Sequence, residues 1–207
     1  MPVVALFTLL VLAPFWGKAF HMDEPFFLAI ARHILQDPWH PLAFDFNWYG
    51  RAVPMEAINN TPPILGYLLA GAWKLTGGRE WAMRLCLFPL DLLSSCSLYL
   101  LAARFLKRPL LPVLIVLAAP AYMINMNHLM AEKLMAAFVF PALYAWVRGV
   151  DEDSPRWFWA SAGLLAAALM SKYAAIFAVL PMATYAWRKG MPRARICAYL
   201  AAAALPV

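Results

Sequence analysis

Charge is scarce in this sequence. Only 14% of its 207 residues are Asp, Glu, Lys or Arg, against 64% that are hydrophobic, and a soluble globular domain carries roughly a quarter of charged residues. That shortage excludes a soluble enzyme or a charged binding module. Cysteine is scarce as well: Cys86, Cys96 and Cys197 sit in apolar stretches without CxxC spacing, which excludes a zinc framework and a disulfide scaffold. Acidic residues are fewer than basic ones, 11 against 17, leaving a net charge of +6. In an apolar chain that excess belongs to cytoplasmic loops and anionic headgroups, with no nucleic acid implied. No internal repeat is evident either, which argues against a transporter built from two matching halves.

What the sequence does have is long apolar runs. A span needs roughly 20 apolar residues to cross about 30 Å of hydrocarbon, and the runs predict spans at about 3–20, 81–103, 109–126, 130–147, 157–170, 173–187 and 196–207. The first run has no charged start and is followed by His21-Met22-Asp23-Glu24-Pro25 rather than a small-residue cleavage site, so it reads as a retained span. Residues 157–187 would make a helix of about 46 Å, too long for one span and short for two. Basic clusters resolve this. Arg104, Lys107 and Arg108, then Arg148 and Arg156, then Arg188, Lys189, Arg193 and Arg195 share the cytoplasmic side only if the run turns back near Ser171-Lys172-Tyr173. The N-terminus is then inside and residues 21–80 form an external loop.

That loop predicts two helices lying at the interface. In the first, over residues 25–36, Phe27, Ile30, Ala31, Ile34 and Leu35 share one side. The second starts at Pro62-Pro63 and ends at Gly77-Gly78. Between them, residues 37–60 are rich in aromatics and turn formers and predict ordered coil, lining a cleft at headgroup level or forming an ordinary aromatic belt. Asn59-Asn60-Thr61 formally matches a glycosylation acceptor, a short pattern with many chance matches.

The chemistry-bearing residues gather at one side under this topology. Asp23 and Glu24 follow the first span and precede a helix that begins at Pro25. One of them suits a helix cap, but capping accounts for only one acid. Glu132-Lys133, Asn127-His128 and Ser171-Lys172 also fall at outer ends of spans. Asp91, in mid-span beside Ser94, Ser95 and Ser97, is either functional or a protonated carboxyl satisfied by those serines.

The order of these elements resembles the GT-C membrane glycosyltransferases, above all the bacterial relatives of dolichyl-phosphate-mannose protein mannosyltransferases and of lipid A aminoarabinose transferase. The resemblance rests on the stretches 21–32 (HMDEPFFLAIAR), 60–70 (NTPPILGYLLA), 80–85 (EWAMRL), 130–134 (MAEKL) and 169–174 (LMSKYA), in that order. It implies an all-α polytopic membrane protein, a GT-C-type transmembrane bundle with interfacial helices in the first external loop. Such proteins are usually longer, so the resemblance also implies the N-terminal module of a larger protein or a truncated product.

The resemblance further implies transfer of a sugar from a polyprenyl-phosphate donor to an acceptor hydroxyl on a lipid, glycan or protein, usually with inversion. The site would face the periplasm or exterior of a bacterial inner membrane. A hydroxyl needs a base as the anomeric bond breaks; Asp23 is the first choice and Glu24 the second, with Glu132 as a further acid. A departing phosphate needs fixed cations, and Lys172, Arg84 and Lys133 sit at outer span ends, where snorkelling to headgroups is the competing reading. No metal is expected to be required, although His21 and His128 near the acids would allow a divalent cation. A transporter with an acidic site and a non-catalytic scaffold are the alternatives.

Overall fold

In a computed structural model, which describes residues 1–21 and 23–204, the chain is built almost entirely of helices. Two of them, α5 (Glu80–Ala102) and α8 (Ala131–Glu152), are long and apolar enough to cross a membrane. They pack side by side and form the spine of the molecule. Both carry an interior proline, Pro89 and Pro141.

Around this pair, α9 (Pro155–Ser171) lies along α8. Small residues permit the approach: a Cβ on Gly149 would meet the Phe158 ring at 3.0 Å. Ser161 Oγ donates to the Ala142 carbonyl at 2.8 Å, and Trp146 Nε1 donates to the Met182 carbonyl at 2.7 Å. In a low-dielectric interior such bonds replace the hydrophobic drive that lipid removes. After α9 the chain breaks at Lys172, which is extended, passes through a 3₁₀ segment (Tyr173–Ala178), and returns as α10 (Val179–Arg188) and α11 (Arg193–Ala204).

Several elements depart from the sequence expectation. The first helix, α1 (Pro2–Leu12), continues only as a 3₁₀ turn to Phe15 instead of reaching residue 20, since Pro14 and Gly17 punctuate the run. The single span expected at 109–126 is two helices, α6 (Leu110–Ala118) and α7 (Pro120–Asn127), bent by 63°. Pro120 removes a backbone donor and drives Ala119 to an extended conformation, φ −65° and ψ 136°.

The loop region holds α2 (Glu24–Ile34), a hairpin of β1 (Asp45–Asn47) and β2 (Ala52–Pro54), α3 (Met55–Ile58) and α4 (Ile64–Thr76). The expected coil over 37–60 is therefore partly a hairpin, with Phe46 paired to Val53. Helices α2 and α4 pack closely because Gly66 leaves room: a Cβ there would lie 2.7 Å from Ile30 Cγ2. Gly77, at φ 64°, takes the left-handed position that ends α4.

The far end of the bundle is laced by charge. Asp151 pairs with Arg104 and Lys189, both at 2.9 Å, Glu152 pairs with Arg148 at 2.8 Å, and Asp153 pairs with Arg195 at 2.6 Å. Residues from three basic clusters thus converge on one acidic helix end. The loop helices and hairpin lie toward the opposite end, where α8 begins and α9 stops.

Candidate active site

At that end a cleft of about 190 Å³ opens between α2, the hairpin, the 58–61 turn, the start of α8 and the end of α9. Asp23, Glu132 and Lys172 all line it, together with Trp48, Asn59, Asn60 and Thr61. Three residues far apart in sequence meet because each ends a helix that points at the cleft. Asp23 stands at the N-cap position of α2, Glu132 in the first turn of α8, and Lys172 just past the last residue of α9.

Asp23 occupies the capping position without capping. It has helical dihedrals, and its carboxylate makes no cap bond; no hydrogen bond or ion pair engages it among the described residues. Lys172 and Glu132 form an ion pair at the cleft wall, both partly exposed. Asn59 locks the adjoining turn: its side chain accepts from Thr61 Oγ1 at 2.8 Å and donates to the Thr61 carbonyl at 2.7 Å. Asn60 beside it is exposed. Trp48 is braced edge-on by Phe26 at 5.4 Å between ring centroids, leaving a rigid aromatic wall.

Glu24 has a different environment from its neighbour. It is fully buried, and Arg84 Nη2 donates to both its oxygens at 2.9 and 3.1 Å. The Leu129 amide donates to Oε1 and the His21 amide to Oε2, each at 3.0 Å. Arg84 completes its own fork on the carbonyls of Asn127, Trp16 and Lys18. This guanidinium therefore ties together the end of the first helix, α2, α5 and the α7–α8 connection. It is buried rather than placed at a lipid phosphate, as the span-end argument expected.

Lys133 departs from that expectation in the same way. It is 1% exposed, and its ammonium donates to both oxygens of Asp91 at 2.8 Å. The serines around Asp91 serve other partners: Ser95 Oγ donates to the Asp91 carbonyl, and Ser94 Oγ lies 3.2 Å from the Tyr122 hydroxyl. Asp91 and Arg84 are both buried on α5, about two turns apart on one face.

His21, Glu24 and His128 bring three possible ligand atoms within 4.8 Å of one another. The set does not fit a resident divalent cation. Both Glu24 oxygens are engaged by four hydrogen bonds from three donor groups, and the Lys18 ammonium approaches His128 Nε2 at 3.3 Å. A metal there would meet two positive charges and an anion already engaged. His128 Nδ1 lies 3.8 Å from Glu24 Oε2, too far for a hydrogen bond, and is buried without a partner among the described residues. Burial, and then the Lys18 charge, lower the His128 pKa below its usual value.

Comparison with known proteins bears on this geometry in one way. The family model for dolichyl-phosphate-mannose-protein mannosyltransferase matches residues 60–207, a stretch that contains Arg84, Asp91, Glu132, Lys133 and Lys172 but begins after Asp23 and Glu24. No curated protein and no solved structure matches the chain. With most of its length matched and its helices apolar enough to cross a membrane, the chain is an integral membrane protein of the dolichyl-phosphate-mannose-protein mannosyltransferase family, a glycosyltransferase family of GT-C type.

Proposed function

We propose that the cleft transfers a sugar from a polyprenyl-phosphate donor to an acceptor hydroxyl on a lipid, glycan or protein. The observation that carries this reading is the meeting of Asp23, Glu132 and Lys172 in one cleft beside an aromatic wall. The acceptor oxygen attacks the anomeric carbon as the bond from that carbon to the phosphate oxygen breaks. Asp23, whose carboxylate has no partner among the described residues, takes the hydroxyl proton. The phosphate leaves with its negative charge facing Lys172, which Glu132 holds at the cleft wall. A single displacement of this kind inverts the anomeric centre.

Glu24, Arg84, Asp91 and Lys133 form the frame in this reading. Their charges are consumed by one another, and none lines the cleft. The pairing of Asp91 with Lys133 also removes the main support for a transporter, since a midspan carboxylate neutralised by a buried lysine offers no free ion site. The cleft is assigned to the outer face. The basic residues meeting at Asp151–Asp153 support a cytoplasmic assignment for the opposite end.

The test is direct. Purified protein in bilayer nanodiscs is incubated with a labelled polyprenyl-phosphate sugar and a membrane extract supplying acceptors. Label should move from the donor to an acceptor, and Lys172→Gln should slow that transfer strongly with the donor still bound. No transfer under any acceptor condition would remove the reading.

A further inference from the structure

Each cleft acid is followed in the chain by a buried residue of the frame: Asp23 by Glu24, and Glu132 by Lys133. A helix turns about 100° per residue, so Lys133 can point into the bundle while Glu132 faces the cleft. The Lys133 ammonium and the Asp91 carboxylate are 1% exposed each and share two bonds of 2.8 Å. Neither residue lines the cleft.

A buried ion pair is a poor way to gain stability. Removing two charges from water costs about as much as their attraction returns, and well-packed apolar replacements are often neutral or stabilising. What such a pair does supply is a fixed relation between two helices. Two bonds to both carboxylate oxygens pin the first turn of α8 onto the middle of α5 in rotation as well as height. A leucine–methionine contact would allow the same separation with several rotations.

Building on the proposed sugar transfer, we infer that Asp91 and Lys133 are a positioning pair whose role is to set Glu132, and through it Lys172, at the cleft wall. Glu132 sits next to Lys133 at the start of α8, so a small rotation of that turn moves its carboxylate away from the Lys172 ammonium. Lys172 lies at the break between α9 and the 3₁₀ segment with an extended backbone, φ −158° and ψ 129°. No helix holds its side chain in place, and the Glu132 carboxylate is its one charged partner among the described residues. The pair acts on the step in which the phosphate departs and touches no reacting atom itself.

The experiment compares the wild-type protein with Asp91→Leu/Lys133→Met, which replaces the pair by apolar groups, and with Asp91→Lys/Lys133→Asp, which restores a pair of reversed polarity. Unfolding temperature, donor KM, kcat and the rate at which an amine-reactive reagent labels Lys172 are measured for each. The expected result for the apolar variant is a wild-type unfolding temperature and little change in donor KM. Its kcat should fall about tenfold to a hundredfold, the scale of a slight misplacement, and Lys172 should label faster. The reversed pair should recover part of the kcat and slow the labelling again. An apolar variant with wild-type kcat and wild-type labelling overturns the inference. If the apolar variant does not fold, the reversed pair decides by the same readouts: restored kcat and protected Lys172 support positioning, and a folded protein with labelling as fast as in Glu132→Gln overturns it. Lys172 labelling needs no turnover, so it tests the pair even if wild-type protein transfers no sugar, an outcome that would count against the proposed function alone.

Discussion

Glu24 and Arg84, sixty residues apart in sequence, share two hydrogen bonds of 2.9 and 3.1 Å at a point where neither side chain meets solvent. The pair sits directly behind Asp23, so the helix carrying the open cleft acid is anchored one residue away from it. Two acids that are adjacent in sequence therefore have opposite circumstances, the Glu24 carboxylate saturated with donors and the Asp23 carboxylate with none among the described residues.

Replacing Glu24 by Gln leaves the Arg84 charge buried with its partner's negative charge gone. Loss of one member of such a pair costs about 3–5 kcal/mol, so the unfolding midpoint in detergent should fall sharply. Glu24→Leu combined with Arg84→Met should not recover that loss, because it leaves the Leu129 and His21 amides and the carbonyls of Asn127, Trp16 and Lys18 without these partners. Arg84→Lys should not substitute, because an ammonium cannot reach the Glu24 carboxylate and three carbonyls in the same fork.

His128 gives the fold a pH dependence. Burial and the neighbouring Lys18 ammonium hold its pKa below the usual value, so the folded protein keeps the ring neutral where the unfolded chain would protonate it. The unfolded state then binds more protons at pH below about 6.5. Stability from this group is fully present above that pH and is lost as pH falls from there toward the lowered folded pKa. Unfolding followed from pH 7.5 to pH 5 should show that decline, and His128→Gln should reduce its slope.

Trp48 is held edge-on by Phe26 and forms part of the cleft wall while remaining partly exposed. Trp48→Ala should raise the donor KM several-fold with little change in unfolding temperature, and Trp48→Phe should retain most of the affinity. Steady-state kinetics against donor concentration checks this.

Much of the architecture was legible from apolar runs, prolines and basic clusters. Depth along a span can be read that way, which is why the sequence groups Asp23, Glu132 and Lys172 at one end. Rotation about a span cannot. Arg84 and Lys133 lie at the same depth as the cleft residues, but their side chains turn inward to Glu24 and Asp91. Their partners come from other helices, and single-helix periodicity carries no information on that. The sequence does not show the pairing of Asp91 for the same reason, since Lys133 comes from another helix while the serines are its neighbours on α5. The 45–54 hairpin is not legible in the sequence because three-residue strands are too short to show alternation. The 63° bend hinges on Pro120 within an unbroken apolar run, where a proline can kink a span or pass through it.

The central claim is that Asp23 is the base at this cleft, and Asp23→Asn tests it most directly. Asp23 makes no cap bond, so the variant should unfold within about 1 kcal/mol of the wild type. Its kcat for transfer from a polyprenyl-phosphate sugar should drop by about a hundredfold or more, the usual contribution of a positioned base. A folded Asp23→Asn protein that turns over at the wild-type rate would contradict the account.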